Sequence, residues 1–180
     1  MAQFSVNTSR LMPYPNFKFR VMWDDKYVAA VSKVSPLKRT TQVITHRDGG
    51  NHSGSVKGPG RTEYDAITLE QGVAHDMEFV RWANKVWDYS NAQADADKRI
   101  KEMSLKDYKK NIIIDVFNEA GQKAVSYLVY DCWVSEYQAL SELDGSGNGV
   151  LIASIKIENH GWIRDPKTTE PTEAAFTDPA

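Results

Sequence analysis

The sequence predicts a mainly β fold of two packed antiparallel sheets, a β-sandwich or barrel, with one flanking α-helix. Three observations predict it. Apolar residues alternate with polar ones along several short stretches, which is the period of half-buried strands. One stretch alone changes to helical spacing. The alternating stretches follow one another along the chain with turn residues between them, as neighbouring antiparallel strands do.

Four stretches before residue 72 are predicted to be strands. Phe17–Trp23 and Tyr64–Gln71 alternate in this way, Tyr27–Val34 follows as a second strand, and Arg39–Arg47 is a more polar strand with Val43 and Ile44 inside it. The first two are separated by the turn residues Asp24–Lys26 and are expected to form a hairpin. Between the last two, residues 49–65 contain five glycines and a proline, so we expect an open loop there.

The period changes after Gly72. Apolar residues at spacings of three, four and seven predict an amphipathic helix: Met77, Phe79, Val80, Ala83, Val86 and Trp87. The polar residues 91–110 are expected to be a loop. Three further strands are predicted: Asn111–Asn118, Lys123–Gln138 and Val150–Trp162, of which the second is apolar on both faces. Residues 1–164 thus form one domain, and the acidic, proline-bearing residues 165–180 a disordered tail.

Composition excludes several classes of protein. At 180 residues the chain fits one ordinary globular domain, and its net charge of −2 gives no general argument for binding to nucleic acid or to an anionic membrane. Its longest apolar runs, such as Ile112–Ile114, are far too short to span a membrane. The N-terminus lacks the pattern of a secretory signal. Cys132 is the single cysteine, which fits synthesis in a reducing compartment.

Residues suited to catalysis or metal binding do not form a recognisable pattern. None of the four histidines has a partner at metal-ligand spacing: His46, His52, His75 and His160. Cys132 lies in an apolar strand and is better explained as a packed thiol than as a nucleophile. Residues 144–149 resemble the start of a calcium loop, but the twelfth position is Ile155 rather than Glu, so a turn is favoured. We therefore predict no enzyme activity, cofactor or metal.

The aromatic content leaves two interpretations open. Five tryptophans and eight tyrosines are many for a chain of this length. They can fill the core, or they can lie in subunit interfaces, where Trp and Tyr concentrate.

Nine short segments occur in an order that resembles the inner tail-tube proteins of contractile phage tails and of phage-tail-like contractile injection systems. They run from about Pro15 to Asp165: Phe17–Val21, Val31–Val34, His46–Gly50, Lys57–Thr62, Ile67–Val73, Phe79–Ala83, Asn118–Gly121, Cys132–Tyr137 and Ile157–Trp162. No single segment is highly specific, and the resemblance depends on the ordered series.

The resemblance implies a structural protein. Its subunits join edge to edge in hexameric rings, whose sheets form a continuous inner barrel, and the rings stack into a hollow tube. The implied partners are further copies, a contractile sheath protein, and baseplate and spike proteins, with DNA or protein cargo in the lumen. The implied location is the bacterial cytoplasm during synthesis and assembly, then a phage-tail-like particle that is released or membrane-attached.

The glycine-rich segment acquires a role in this interpretation. We expect it to become ordered when the next ring docks, through ring-stacking residues on and beside it: His46, Arg47, Asp48, Gly50, His52, Ser53, Lys57, Gly58 and Arg61. Two alternatives stay open. One is a small β-barrel module that binds a ligand or anion at the glycine-rich loop 49–61. The other is an enzyme with an anion site at Lys57 and Arg61, although no P-loop spacing is present.

Overall fold

The computed structural model describes residues 13–28, 30–47, 49–50, 54–73, 75–89, 103 and 106–172. This part of the chain forms ten strands and one helix. In chain order they are β1 (Phe19–Trp23), β2 (Lys26–Tyr27), β3 (Val31–Val34), β4 (Arg39–His46), β5 (Val56–Tyr64), β6 (Ile67–Gly72), α1 (Glu78–Val86), β7 (Lys110–Phe117), β8 (Lys123–Gln138), β9 (Ile152–Glu158) and β10 (Gly161–Arg164).

The long strand β8 belongs to two antiparallel sheets. We call β2-β1-β7-β8-β10 sheet A and β8-β9-β6-β3 sheet B. The strands β9 and β10 follow one edge of β8 in continuous register, with Trp133 opposite Glu158 and Tyr130 opposite Gly161. At the change of sheet, Asp131 has a φ of 52°, in the left-handed region, and this kink lets one strand serve both layers.

The core lies between these sheets and under the helix. It consists of apolar residues from both layers: Val21, Trp23, Ile67, Leu69, Phe79, Trp82, Ile112, Ile114, Val129, Cys132, Val134, Ile155 and Ile157. The predicted fold class, two packed antiparallel sheets with a flanking helix, is confirmed.

A fully buried carboxylate joins three strands inside sheet A. Asp115 on β7 accepts hydrogen bonds from Ser126 Oγ at 2.6 Å and from Tyr27 Oη at 3.2 Å. Lys123 Nζ forms an ion pair with it at 2.8 Å. These partners offset the cost of burying the charge and hold the short edge strand β2 against the sheet.

One predicted strand is divided between the sheets. Tyr27–Val34 was expected to continue as a single strand, but β2 ends at Tyr27 and Ala30 has a φ of 59°. The chain then crosses over, and β3 pairs with β6 in sheet B. Val28 before the break and Val31 and Val34 after it nevertheless pack against the same core.

The prediction of a loop over residues 49–65 is wrong for the second half of that segment. Val56–Tyr64 is the strand β5, which pairs with β4 along its length and forms a two-stranded extension that we call the hairpin arm, residues 39–64. Every β4 residue is exposed. A side chain at Gly60 would begin 3.0 Å from Ile44 Cγ1 and 3.1 Å from the Gln42 carbonyl oxygen. Glycine is therefore needed here for close approach between strands at a register shift.

The predicted helix is confirmed, with ends at Glu78 and Val86. Asp76 Oδ1 accepts a hydrogen bond from the Glu78 backbone N–H at 3.1 Å, which satisfies one free donor of the first turn. Trp82, on the inner face, donates from Nε1 to the Tyr108 carbonyl oxygen at 2.9 Å. Its ring lies 4.9 Å from that of Trp23, so α1 is held against the core at the β8 and β9 side.

The segment after β10 follows sheet A as far as Thr172. The Asp165 backbone N–H donates to the Ser126 carbonyl oxygen at 2.8 Å, and Gln122 Nε2 donates to the Thr172 carbonyl oxygen at 3.0 Å. The rest of the predicted tail, 173–180, and most of the predicted loop 91–110 lie outside the described residues. Within the part that is described, no helix is long and apolar enough for a membrane span.

Candidate functional site

Sheet B has two edges that pair on one side only within the described residues. At one edge, β3 pairs with β6. At the other, residues 133–138 of β8 pair with β9, whereas β7 follows the opposite side of β8 no further than Cys132. Both edges therefore present backbone N–H and C=O groups that a further strand can bind.

A groove lies beside the β8 edge. It has a volume of about 400 Å³ and lies between the C-terminal end of α1 and residues Val134–Tyr137. Trp87 and Tyr89 line it and are more than half exposed. Large exposed aromatic side chains next to an unpaired strand edge are typical of a protein–protein interface.

The face of sheet B that points away from the core is polar. It carries Glu136 and Lys156 directly opposite each other on β8 and β9, with Glu158 beside them. On β3 and β6, Lys33 Nζ and Glu70 Oε1 form an ion pair at 2.8 Å. The other face is covered by the core, so this polar face is the one that remains for solvent.

The hairpin arm leaves one end of sheet B. At its base the Ser35 N–H donates to the Thr68 carbonyl oxygen at 2.9 Å, and the Asp65 N–H donates to the Lys38 carbonyl oxygen at 3.0 Å. The loop between β8 and β9, residues 139–151, leaves the opposite end, where Gln138 lies opposite Ser154. The two projections are thus separated by the length of β9.

The structure places the described members of the predicted stacking set together on the hairpin arm. His46 lies opposite Val56, Lys57 opposite Thr45 and Gly58 opposite Ile44. Arg61 lies near the register shift on β5, and Arg47 and Gly50 lie in the turn region at the end of the arm. Asp48, His52 and Ser53 lie outside the described residues. All the described members are exposed except Gly58, which is half-buried.

The anion-binding alternatives are not supported by this geometry. A phosphate cradle requires several backbone N–H groups that converge on one point. Lys57, Gly58 and Pro59 instead lie in a regular ladder with β4. The backbone of residues 56–64 thus takes part in strand pairing.

Sequence reasoning missed the apolar residues of the arm. Val43, Ile44 and Val56 are each 58–65% exposed. In the sequence, the adjacent pair Val43-Ile44 inside an otherwise polar strand was the one indication of these exposed apolar residues. Because successive strand residues point to opposite faces, this pair fits a two-stranded ribbon that is apolar on both faces.

Cys132 is a packed thiol, as predicted. It is fully buried in the core, and burial raises its pKa to about 12. Because the thiolate is the reactive form, this side chain is protected from oxidants and electrophiles near neutral pH.

The raised pKa of Cys132 predicts a loss of stability in alkali. An unfolded thiol ionises near pH 9, whereas the folded one stays protonated up to about pH 12. The unfolded state therefore binds fewer protons between these values, and the free energy of unfolding falls by about 1.4 kcal/mol for each pH unit above 9. Urea unfolding at pH 8 and pH 10 measures this. Between these two pH values the free energy of unfolding should decrease by about 1 kcal/mol less in Cys132→Ala than in the wild-type protein. Equal pH dependence in both proteins would contradict the assignment.

The remaining candidates for metal binding form local contacts. Asp144 Oδ1 accepts hydrogen bonds from the backbone N–H and the Oγ of Ser146 at 2.9 and 2.7 Å, which is the geometry of a turn. His160 Nδ1 lies 3.1 Å from Asp131 Oδ2. Among the described residues, no three His, Cys, Asp or Glu side chains are grouped closely enough to hold a metal ion.

Comparison with protein families identifies the chain. The family model of the T4-like virus tail tube protein gp19 matches residues 15–163. The chain belongs to this family. The match covers sheet A, sheet B, the helix and the hairpin arm, and it confirms the resemblance found in the sequence. No curated protein matched the sequence.

Solved structures share the fold. The chain is 22% identical to a protein of the sheath-tube complex of the extracellular contractile injection system PVC, over 89% of this chain and 99% of that one, with a TM-score of 0.65. It is 23% identical to a protein of the anti-feeding prophage cap, over 92% and 99%, with a TM-score of 0.67. A protein of the anti-feeding prophage baseplate is 17% identical, over 85% and 95%, with a TM-score of 0.63.

Proposed function

We propose that this chain is the structural subunit of the inner tube of a contractile injection apparatus, in which hexameric rings stack into a hollow rigid tube. The match to the tail tube family over residues 15–163 carries this proposal. The role is mechanical: a contracting sheath drives the tube through a target envelope, and the lumen conducts or carries cargo.

The two free edges of sheet B provide the ring interface. When β3 of one subunit pairs with residues 133–138 of β8 in the next, each unpaired edge acquires a neighbour. Repeated around a closed ring, this contact joins the four-stranded sheets into one barrel without any remaining edge. The groove beside Trp87 and Tyr89 then lies at the seam, where the neighbouring subunit covers it.

The polar face of sheet B lines the lumen in this arrangement. The other face of sheet B is covered by the core and α1. Sheet A packs on the far side of that core and therefore lies on the outside of the ring. Glu70, Glu136 and Glu158 outnumber Lys33 and Lys156 on the described inner surface, so the wall is polar and slightly acidic. Such a wall does not bind a passing polar cargo strongly.

The partners follow from the same role. The fold is shared with proteins of a sheath-tube complex, a tube cap and a baseplate, which supports a sheath, a terminating cap and a baseplate as neighbours of this tube. A phage-tail-like particle is the corresponding location. The structural role requires no catalytic residues and no cofactor.

Electron microscopy of the purified chain tests the proposal. Negative staining is expected to show rings with six-fold symmetry and, at higher concentration or with baseplate components present, stacked tubes. Particles that remain single subunits under all these conditions would refute it. A ligand-binding module would be expected to remain as single subunits.

A further inference from the structure

We propose that residues 1–12 pack into an apolar cavity of their own subunit and complete its core at the end where the hairpin arm leaves. The cavity has a volume of about 420 Å³ and is open to solvent on one side. Because this contact lies within one subunit, the inference does not depend on the proposed function.

The cavity lies between sheet A and the base of the hairpin arm. Phe19, Val116 and Tyr127 line it from the inner face of sheet A. Val34 and Leu37 line it from the connection between β3 and the arm. All of these except Val116 also pack against the buried core, so the cavity continues that core. Protein cores are close-packed and contain few voids larger than a water molecule, so an apolar opening of this size indicates a missing layer of side chains.

The chain before β1 leads to this cavity. Tyr14 and Pro15 are half-buried, and Asn16 lines the cavity itself. The Lys18 carbonyl oxygen accepts a hydrogen bond from the backbone N–H of Phe117 at 2.9 Å, which fixes the chain beside sheet A. Position 12 is four residues before Asn16, so the two Cα atoms are at most about 14 Å apart. The segment that precedes Pro13 therefore reaches the cavity without crossing the molecule.

Residues 1–12 have the side chains that such a cavity accepts. Arg10 carries the single side-chain charge of this segment. Five of its side chains are large and apolar: Met1, Phe4, Val6, Leu11 and Met12.

Two other long segments outside the described residues fit the cavity less well. Residues 90–102 carry six charged side chains, and residues 173–180 have one large apolar side chain, that of Phe176. Transfer of apolar side chains from water into an apolar cavity is favourable, and charged ones oppose it. The N-terminal segment is therefore the occupant that the composition favours.

Occupation of the cavity also holds the base of the hairpin arm. Val34 is the last residue of β3, and Ser35 and Leu37 lie between it and the first residue of β4. These three residues form one wall of the cavity, and the inner face of sheet A forms another. A segment packed between the two walls joins the base of the arm to the core of its own subunit.

Thiol accessibility tests this contact. Val116→Cys replaces a partly exposed cavity-lining side chain with one of similar size, and the native Cys132 is fully buried. Labelling uses a water-soluble maleimide on single subunits at low concentration. We expect the thiol at position 116 to react at least about tenfold faster in a chain that lacks residues 2–12 than in the full-length chain. Ser35→Cys, on the other wall, repeats the measurement if Val116→Cys does not fold.

Matched variants identify the occupant. Phe4→Asp combined with Leu11→Asp should speed the labelling of Val116→Cys about as much as the deletion does, because a carboxylate opposes burial. Thr8→Asp combined with Ser9→Asp adds the same charge at polar positions and should leave the labelling rate unchanged. Removal of residues 173–180 should also leave it unchanged.

Two results would overturn the inference. One is equal labelling of Val116→Cys with and without residues 2–12. The other is protection that increases with protein concentration, because a second copy would then supply the occupant. Asn148→Cys, in the exposed loop between β8 and β9, should react at the same rate in both chains and shows that the deletion does not alter thiol reactivity in general.

Discussion

Replacing Ser32 with proline is expected to abolish ring formation and to leave the subunit folded. Ser32 lies on the edge strand β3 at a register shift, between Val31 and Lys33, and has no partner in the ladder with β6. Proline is tolerated at such edge and bulge positions, but it removes an N–H and obstructs an incoming strand. Sedimentation velocity should show single subunits where the wild-type chain forms rings.

The control for this substitution is Ser32→Ala. The Ser32 hydroxyl donates to the Glu70 carbonyl oxygen at 3.2 Å, and the alanine variant removes that contact while it keeps the backbone N–H. Ser32→Ala should therefore still form rings. Circular dichroism and a cooperative urea transition establish that the proline variant is folded. Rings formed by a folded Ser32→Pro protein would exclude β3 from the subunit interface.

Truncation of Trp82 is expected to have the largest effect on stability. Its side chain is fully buried, packs against Trp23 and donates to the Tyr108 carbonyl oxygen. Trp82→Ala leaves a cavity and removes the Nε1–H that donates to that oxygen, so the free energy of unfolding should fall by about 3–5 kcal/mol. Urea unfolding at a concentration that keeps subunits monomeric measures this.

Trp87→Ala is the matched control, five residues later on the chain. Trp87 follows the last residue of α1 and is 54% exposed, and its ring lies 5.9 Å from that of Tyr89. Its truncation should change the free energy of unfolding by less than about 1 kcal/mol, while it weakens ring formation if the groove is the seam. A similar loss of stability in both variants would mean that α1 is not anchored through Trp82.

These two tryptophans also answer the question that the aromatic content left open. Trp82 and Trp23 lie in the core, whereas Trp87 lies on the surface beside the free edge of β8. The helical spacing put Trp87 on the apolar face of the helix and left Trp82 out of it, whereas the structure buries Trp82 and exposes Trp87. The core interpretation is therefore confirmed for Trp23 and Trp82, and the interface interpretation stays a prediction for Trp87.

The sequence by itself determined the fold class, the helix and most strands, because apolar periodicity is a local property that the sheets and helix preserve. Lys123–Gln138 is one strand as predicted, and the ordered segments led to the correct family. Only the tertiary structure decided that β8 is shared by both sheets, that β3 crosses to sheet B, and that the second half of the glycine-rich segment is a strand of an exposed hairpin arm. Strand pairing joins residues that are far apart in the chain. The positive φ angles at Ala30 and Asp131 change the direction of the backbone, and the pattern of apolar residues does not reveal them. The free edges and the two ends of sheet B follow from that pairing, so the assembly surfaces could not be located before it was known.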